Sequence, residues 1–290
     1  MMGREEGCIQ IGMIGLGNMG LPIALNLMKK NGNHICGYDV VPAARERLAA
    51  AGGTSFDTPE ELLRVCRVVF FSLPSNALVQ ENLERAVKLC PEGAVLIDTS
   101  SAIPEVMEGC AAQAAARGIE LIDCPVSGGV EGACEGTLSA MCGGSAEAVE
   151  SVMPLLRAFA SKVTYMGRLG CGYTAKLVNN LIVGGEITLL AEAFGLARRA
   201  GLELPALLDA IRGGAAASAV LEIKGPKMLN GDYTPSSRTL IHLKDQHNAQ
   251  QLARSLGART PMCDTSTSVL EELASKGRGN EDVAAAIELF

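Results

Sequence analysis

The chain has 290 residues, of which 48% are hydrophobic and 20% charged, and its formal net charge at pH 7 is -7. This content of apolar side chains excludes an intrinsically disordered chain, and the length predicts one large domain or two packed ones. Because 25 Lys and Arg residues are balanced by 32 Asp and Glu residues, no cationic excess is available for a nucleic-acid backbone. We therefore expect any bound anion to be held by a local site.

The cysteines, the histidines and the apolar N-terminal stretch do not indicate a disulfide framework, a metal site or a membrane anchor. The ten cysteines include no Cys-x-x-Cys pair, so we expect reduced thiols in a cytoplasmic protein rather than a disulfide framework. Among the three histidines, His242 and His247 form the only near pair, and nothing nearby completes a metal site. The stretch from Cys8 to Met28 is interrupted by glycine, proline and asparagine, which predicts a strand, a turn and a helix rather than a membrane anchor.

Short apolar strands alternate with helices in the first half of the chain. Strands are predicted at 9–14, 34–38, 68–73, 94–97, 120–122 and 138–142, and helices at 21–30, 43–51, 75–89, 104–117 and 146–159. This alternation, with short connections, predicts a doubly wound parallel sheet of the Rossmann type. We place this dinucleotide-binding domain at residues 1–166.

The remainder of the chain, residues 167–290, is predicted to be an all-helical domain. A long helix over 173–200 is apolar on nearly all sides, so we expect it to be buried and to join the two domains. Its polar side chains argue against a membrane span. Further helices are predicted at 205–212, 218–229, 239–256, 264–276 and 282–289. The predicted fold class is therefore α/β, with a C-terminal all-helical domain after a long interdomain helix.

A glycine-rich turn follows the first predicted strand and opens the first helix. Its residues are Gly15, Leu16, Gly17, Asn18, Met19 and Gly20, a match to the G-x-G-x-x-G fingerprint. The first glycine permits a tight turn, the second lets the backbone approach a pyrophosphate, and the third lets helix and strand pack closely. The N-terminus of the helix would then offer N–H groups to the phosphates.

Asp39 lies 19 residues after Gly20, at the end of the second predicted strand. A carboxylate at this place accepts hydrogen bonds from the ribose hydroxyls of NAD and repels the additional phosphate of NADP. The alternative is a turn or helix-capping residue ahead of Pro42. The sequence predicts NAD as the cofactor, with NADP less favoured.

Two later segments offer groups for binding a carboxylate and moving a proton. Ser127, Gly128 and Gly129 follow a strand on the side of the sheet where ligands bind, and their N–H groups and hydroxyl can surround an anion. The alternative is an ordinary glycine loop. Lys176 and Asn180 share one helix face, and burial lowers the pKa of an amine toward the range useful for proton transfer. The alternative is a lysine that extends to water.

Lys244 and Asp245 form a third candidate cluster, although such a pair on a helix is typical of a solvated face. Together with this pair, three segments resemble the motifs of the 3-hydroxyisobutyrate dehydrogenase family, the β-hydroxyacid dehydrogenases, in the family's order. These segments are IGMIGLGNMG, DCPVSGGVEGACEGTL and GCGYTAKLVNN. The resemblance implies reversible hydride transfer between NAD and a small 3-hydroxy carboxylic acid. It also implies a homodimer or homotetramer assembled through the helical domain.

The resemblance further implies roles for individual residues. It implies that Lys176 is the catalytic general acid and base on the substrate hydroxyl, and that Asn180 orients the substrate. The residues implied to hold the substrate carboxylate are Ser127, Gly128 and Gly129. Those implied around the nicotinamide are Leu73, Pro74, Ser100 and Ser101, with Lys244 reaching the cofactor or the substrate.

The substrate stays open at this stage. The segment 232–238 contains Pro-Ser-Ser-Arg where many relatives have Gly-Phe, and we hypothesise that it favours a more polar or dicarboxylic acid. Candidates are 2-hydroxymethylglutarate, tartronate semialdehyde or glycerate, threonate and succinic semialdehyde. The alternative is a surface turn that caps the next helix. A non-catalytic NAD-binding sensor is the alternative from another class, but it would have no need of Lys176 or Asn180.

Overall fold

The computed structural model describes residues 10–290, so Ile9, where the first strand was predicted to begin, lies outside the described residues. The chain divides into two compact units, the first ending at Lys176 and the second spanning Leu177–Phe290. The first unit contains all the strands of the described chain, and the second is helical. The predicted fold class is confirmed.

The strands of the first unit are β1 (Ile11–Ile14), β2 (Ile35–Tyr38), β3 (Thr54–Ser55), β4 (Val68–Phe71), β5 (Val95–Asp98), β6 (Glu120–Asp123), β7 (Val126–Ser127), β8 (Leu138–Gly143) and β9 (Ala160–Gly167). Its helices are α1 (Gly20–Asn31), α2 (Pro42–Ala50), α3 (Pro59–Val65), α4 (Asn76–Leu89), α5 (Pro104–Ala115), α6 (Gly129–Glu135), α7 (Ala146–Ser151) and α8 (Met153–Phe159). The sequence pattern did not predict β3, α3, β7 or α6, which are all too short to show a clear hydrophobic period. It also did not predict β9, most of which is not buried, and it predicted α7 and α8 as one helix.

The sheet has the strand order of a dinucleotide-binding fold. Strands β3, β2, β1, β4, β5 and β6 lie side by side in that order, and all are parallel. The order reverses between β1 and β4, which is where ligands bind in such sheets, at the carboxyl ends of the strands. Strand β8 then runs antiparallel to β6 and β7, while β9 pairs parallel with β8.

The core of the first unit explains why its strands are continuous apolar runs. Every residue of β1 and β4 is buried, as expected for parallel strands covered on both faces. Met13 and Phe70 belong to a single apolar cluster that also includes Leu27 and Phe159. The rings of Phe70 and Phe159 meet edge to face with centroids 6.0 Å apart, a favourable arrangement for aromatic pairs.

The helices of the second unit are α9 (Cys171–Arg199, which begins in the first unit), α10 (Leu204–Arg212), α11 (Ala219–Asn230), α12 (Thr239–Ser255) and α13 (Pro261–Leu273), followed by a 3₁₀ helix (Val283–Leu289). Their core includes Ile187, Phe194, Leu270 and Ile287. The chain end packs tightly there, because a Cβ placed on Gly195 would lie 2.4 Å from the Cβ of Phe290.

Helix α9 is less buried than its composition predicted. Ile187, Ala191 and Phe194 are buried, but one face leaves a stripe of large apolar side chains between 51% and 70% exposed. We call this the α9 stripe; its members are Val178, Ile182, Leu189 and Leu196. The expectation of burial on all sides is therefore wrong for this face. By length and composition alone α9 could cross a membrane, a test that core helices also pass.

Candidate active site

The first and third glycines of the fingerprint are required by the fold itself. Gly15 has φ +93°, and its N–H donates to the carbonyl of Tyr38 at 2.9 Å. A Cβ on Gly15 would lie 2.2 Å from the carbonyl oxygen of Ser72, and a Cβ on Gly20 would lie 1.9 Å from the carbonyl oxygen of Gly15. Any side chain at either position would therefore displace the backbone of the turn.

The second glycine of the fingerprint, Gly17, is not required by contacts within the protein. A Cβ on Gly17 would meet no protein atom within 4 Å, and Gly17 and Asn18 are exposed, whereas Leu16 is buried and Met19 half-buried. No side chain caps the N-terminus of α1. Open space beside Gly17 and uncapped N–H groups at a helix N-terminus fit the pyrophosphate of a dinucleotide.

Asp39 links this turn to the end of β2 through hydrogen bonds. Its Oδ2 accepts a hydrogen bond from the N–H of Leu16 at 2.7 Å, and its Oδ1 accepts one from the N–H of Val41 at 2.8 Å. Arg45 donates to the carbonyl of Asp39 at 2.8 Å. Asp39 thus forms the turn considered as its alternative role. An ionised carboxylate has about four acceptor sites, so this turn leaves capacity for ribose hydroxyls.

The residues expected around the nicotinamide lie at the carboxyl ends of β4 and β5. The N–H of Leu73 donates to Ser100 Oγ at 2.8 Å, and Ser100 Oγ donates to Asp98 Oδ1 at 2.7 Å. Pro74 next to Leu73 is exposed, and Ser101 next to Ser100 is half-buried. Asp98 was not predicted, although a carboxylate that ends a buried apolar strand is a signal that could have found it.

A second unpredicted carboxylate, Asp123, lies beside Asp98. The two residues are register partners at the ends of β5 and β6, and both are fully buried. The hydroxyl of Tyr173 donates to Asp98 Oδ2, and the N–H of Tyr173 donates to Asp123 Oδ2 at 2.7 Å. Burial raises the pKa of both carboxyl groups to about 6, although these hydrogen bonds act in the opposite direction.

Lys176 lies in the second turn of α9, three residues after Tyr173. Only 8% of Lys176 is exposed, and the same holds for Asn180, one turn further along the helix. Residues four apart on a helix lie on one face. The structure therefore does not support a lysine that extends to water. It presents an amine and a carboxamide as buried polar groups on a largely apolar helix.

The second unit brings Asn180 together with the Lys-Asp pair. The Asn180 side chain donates to Asp245 Oδ2 at 2.7 Å, and the backbone carbonyl of Asn180 accepts from the Gln246 side chain at 2.8 Å. Lys244 Nζ lies 3.1 Å from Asp245 Oδ1. The sequence thus named Asn180 and the Lys244-Asp245 pair separately, but not the hydrogen bond that joins Asn180 to Asp245.

The Ser-Gly-Gly loop is a separate feature of the first unit. Ser127 ends β7 opposite Ser139 of β8, and Gly128 and Gly129 both have positive φ angles, +130° and +67°. Helix α6 starts at Gly129. Its use as an anion site remains a prediction.

The serines of the Pro-Ser-Ser-Arg segment have partners within the helical unit. The Ser236 hydroxyl donates to Asp282 Oδ2 at 2.8 Å, and the Ser237 hydroxyl pairs with His242 Nε2 at 2.8 Å. Arg238, by contrast, has an exposed side chain at the N-terminus of α12. The two serines therefore form the turn before α12, and the polar-substrate hypothesis now depends on Arg238.

No group of three or more His, Cys, Asp or Glu side chains that could hold a metal ion occurs in the described part of the chain. The polar groups of the candidate site are instead an amine, carboxamides, hydroxyls and carboxylates.

Comparison with known proteins matches both halves of the chain. Residues 10–167 match the profile of the NAD-binding domain of 6-phosphogluconate dehydrogenase. Residues 170–290 match the profile described as the NAD-binding region of NADP-dependent 3-hydroxyisobutyrate dehydrogenase.

Individual relatives align over almost the whole chain. The 2-(hydroxymethyl)glutarate dehydrogenase of Eubacterium barkeri is 31% identical, over 98% of this chain and 96% of that protein. The 2-hydroxy-3-oxopropionate reductase of Escherichia coli is 32% identical, over 97% of this chain and 96% of that protein. A solved structure of Mycobacterium tuberculosis 3-hydroxyisobutyrate dehydrogenase with L-serine superposes with a TM-score of 0.90 at 29% identity, covering 98% of this chain and 99% of that one.

The fold and these matches define a nicotinamide-dependent oxidoreductase that acts on CH–OH groups. More narrowly, the chain belongs to the 3-hydroxyisobutyrate dehydrogenase family of β-hydroxyacid dehydrogenases.

Proposed function

We propose that this protein oxidises a small 3-hydroxy carboxylic acid to the corresponding semialdehyde, or catalyses the reverse reduction, with NAD and with Lys176 as general acid and base. The observation that carries the proposal is the buried amine of Lys176, one helical turn from the buried amide of Asn180. A cofactor sensor would have no need of these two groups, whereas a dehydrogenase needs both a proton acceptor and an orienting group.

Lys176 acts on the substrate oxygen. In the oxidation, its neutral amine accepts the hydroxyl proton while the C–H bond on the same carbon breaks with its electron pair, which leaves a carbonyl group. The bound nicotinamide supplies the hydride acceptor, or the donor in reverse. In the reduction, the protonated amine donates to the carbonyl oxygen and stabilises the negative charge that develops there.

The other candidate groups bind and orient the acid. We assign the substrate carboxylate to the hydroxyl of Ser127 and the N–H groups of Gly128 and Gly129, since a pair of positive-φ glycines can present successive N–H groups to an anion. Asn180 orients the reacting end of the substrate. Lys244 adds a positive charge for the cofactor or the substrate.

Asp39 supports NAD as the preferred cofactor. Its carboxylate lies at the end of β2 and is half-buried, where it repels a 2′-phosphate and accepts from ribose hydroxyls. Arg45 is a feature that favours NADP, since its guanidinium donates to the backbone carbonyl of Asp39. We give Asp39 the greater weight because its charge lies at the position of the ribose contact in this fold.

Two substrate classes are in competition, and the relatives illustrate both. The main proposal is an acid like 3-hydroxyisobutyrate. The second candidate is a more polar acid, since the relatives include enzymes named for 2-(hydroxymethyl)glutarate, 2-hydroxy-3-oxopropionate and L-threonate. The exposed guanidinium of Arg238 is the group that would favour a dicarboxylic member of this class.

The α9 stripe supports a homo-oligomer. Its four side chains are spaced four, seven and seven residues apart, so they form one continuous apolar face in the second unit, of the kind that marks an interaction site. We propose that a second copy of the chain covers this face in a cytoplasmic dimer or tetramer. Sedimentation equilibrium would test this proposal, and a monomer at micromolar concentration would contradict it.

The function is tested by following reduced-cofactor absorbance with a panel of hydroxy acids, each with NAD and with NADP. The panel contains 3-hydroxyisobutyrate, 2-hydroxymethylglutarate, glycerate, threonate and 4-hydroxybutyrate, the alcohol form of succinic semialdehyde. Lys176→Ala is the test variant and Lys162→Ala, an exposed lysine on β9, the matched control. Turnover that needs Lys176 but not Lys162 supports the proposal. Cofactor binding without turnover of any acid would favour the sensor.

A further inference from the structure

The buried carboxylates Asp98 and Asp123 have no role in the reaction as proposed, yet they lie next to the helix that carries its central residue. They end neighbouring parallel strands in matching register. Both are 0% exposed. Placing two carboxylates side by side away from water costs free energy, and apolar residues of similar volume usually stabilise a core as well or better. Their presence calls for a role that needs directional acceptors.

Asp123 accepts hydrogen bonds from the start of α9. Its Oδ1 accepts from the N–H of Gly170 at 2.8 Å, and its Oδ2 accepts from the N–H of Tyr173 at 2.7 Å. The first N–H groups of a helix have no partner within the helix, so a buried helix start needs such an acceptor. Asp123 supplies it from a different element, the end of β6.

The same contact leaves no room for a side chain. A Cβ on Gly172 would lie 2.3 Å from the carbonyl oxygen of Met141 and 2.6 Å from that of Asp123. A Cβ on Gly143 would lie 2.8 Å from the backbone nitrogen of Gly172. The first turn of α9 therefore lies directly against β6 and β8, at a distance that only glycine permits.

Asp98 connects the same turn to the other side of the candidate site. The Tyr173 hydroxyl donates to Asp98 Oδ2, and Asp98 Oδ1 accepts from Ser100, whose oxygen in turn accepts from the N–H of Leu73. This hydrogen-bonded chain runs from the end of β4 through the end of β5 to α9. Tyr173 is thus bound at its backbone by one carboxylate and at its side chain by the other.

We infer that Asp98 and Asp123 are positioning residues for Lys176. They hold the first turn of α9, through Tyr173, at the carboxyl ends of β5 and β6. The amine three residues further along the helix is thereby fixed relative to the strand ends where Leu73 and Ser100 lie. The effect of the two carboxylates on catalysis rests on the proposed function, but their hydrogen bonding to the first turn of α9 does not.

Kinetics of Tyr173→Phe provide the first test. The variant keeps the ring and removes only the hydroxyl that donates a hydrogen bond to Asp98. We expect kcat to fall about 10- to 100-fold, since a displacement of about 1 Å in a reacting group has an effect of this size. The dissociation constant of the cofactor, measured by calorimetry, should not change. Tyr165→Phe is the matched control. Tyr165 lies on an exposed part of β9, and its hydroxyl donates to the carbonyl of Gly144.

A double-variant cycle separates positioning from a general loss of stability. If Tyr173 acts through the lysine, Tyr173→Phe should lower the residual kcat of Lys176→Ala no further. A loss of the same factor in both backgrounds, or a kcat for Tyr173→Phe equal to that of Tyr165→Phe, would overturn the inference. Asp123→Asn, which keeps one acceptor and loses the other, should show the same pattern as Tyr173→Phe.

Hydrogen exchange tests the hold on the helix without any activity. We expect the amides of residues 170–177 to exchange faster in Asp123→Asn and Tyr173→Phe than in Tyr165→Phe, with exchange in β1 and β4 unchanged. Equal exchange would overturn the inference. If the unaltered protein turned over no acid, the proposed function would fail, and this measurement alone would then decide whether the two carboxylates hold α9.

Discussion

The side-chain amide of Asn180 donates a hydrogen bond to Asp245 at 2.7 Å, across two helices of the C-terminal unit. A carboxamide can rotate by half a turn and exchange its donor for its acceptor. An ionised carboxylate can only accept, so Asp245 fixes which end of the amide points away from it. Asp245 therefore fixes the orientation of the Asn180 amide, whose Oδ1 accepts from the side chain of Asn179 at 3.0 Å.

Asp245→Ala should raise the substrate KM about tenfold or more and leave the cofactor dissociation constant unchanged, because the orienting amide is released. Asp245→Asn should restore part of the loss, since its carbonyl oxygen can still accept. Asp264→Ala, an exposed carboxylate on α13, is the control. Steady-state kinetics with all three variants provide the test, and equal KM values for Asp245→Ala and Asp264→Ala would remove Asp245 from substrate orientation.

The same substitution at two glycines of the fingerprint should have opposite effects. Gly20→Ala places a methyl group 1.9 Å from a carbonyl oxygen, so we expect a large loss of thermal stability. Gly17→Ala meets no protein atom, so the protein should melt normally but bind NAD at least about tenfold more weakly, because the methyl group occupies space left for the pyrophosphate. Gly109→Ala, in an open position on α5, is the control. Normal NAD binding by Gly17→Ala would contradict this assignment.

Asp39→Asn should change both stability and cofactor preference. One acceptor oxygen is lost. Val41 is exposed, so its N–H can bond to water, but loss of the acceptor of the buried residue Leu16 would cost about 1–3 kcal/mol. Loss of the negative charge should also raise the ratio of kcat/KM with NADP to that with NAD. Asp57→Asn is the control, because Asp57 pairs with the neighbouring Arg45 at 3.5 Å but does not touch the turn. A lower melting temperature with an unchanged cofactor ratio would leave Asp39 with only its turn-forming role.

The ion pair of Lys224 and Asp282 predicts a specific acid sensitivity. Burial alone would raise the pKa of Asp282, but hydrogen bonds from Lys224, Ala284 and Ser236 outweigh it and lower the pKa to about 2. A folded pKa below the unfolded value of 3.8 gives stability that is present above about pH 4 and is lost as the pH falls through 2. The loss should be about 2 kcal/mol.

Urea unfolding at a series of pH values tests this prediction. Asp282→Asn should be about 3–5 kcal/mol less stable at pH 7, because it leaves a buried lysine without its partner charge, and should lose less stability between pH 4 and 2. Asp209→Asn, at an exposed residue on α10, should lose as much stability between pH 4 and 2 as the unaltered protein does. An equal loss in the two variants would contradict a lowered pKa of Asp282. Asp98 and Asp123 should have the opposite effect between about pH 4 and 6. Their folded pKa lies above the unfolded value, so their contribution to the free energy of unfolding should fall as the pH rises.

The sequence predicted those features that depend on local pattern. The strands and helices of the Rossmann-type sheet follow from apolar runs and turn residues. Gly15, Gly17 and Gly20 predicted the turn after β1, because each glycine has a distinct steric reason. The direction of β8 did not follow, because an apolar run carries no information about which neighbour it will pair with. The exposure of the α9 stripe was missed for a related reason, since apolar composition does not distinguish a core from an uncovered face.

Contacts between distant residues account for most of what was missed in the site. Asp98 and Tyr173 are 75 residues apart in sequence, and Asn180 and Asp245 are 65 apart. Hydrophobic periodicity gives no information about such a pair. The sequence therefore named Lys176, Asn180 and Asp245 but not the contact between the last two, and it did not name Asp98 or Asp123. The two serines of segment 232–238 show the converse case. Their hydroxyls suggested a ligand, whereas Asp282 and His242 bind them within the fold.

The central claim is that Lys176 assists transfer of a hydride from the carbinol carbon of a hydroxy acid to the nicotinamide. The most direct measurement uses 3-hydroxyisobutyrate, or the best acid of the panel, deuterated at that carbon, with mass spectrometry of the cofactor formed. We predict that the reduced cofactor carries one deuterium with the unaltered protein and with Lys162→Ala, and that Lys176→Ala forms almost none. Reduced cofactor without deuterium, or equal labelling by Lys176→Ala, would contradict the account.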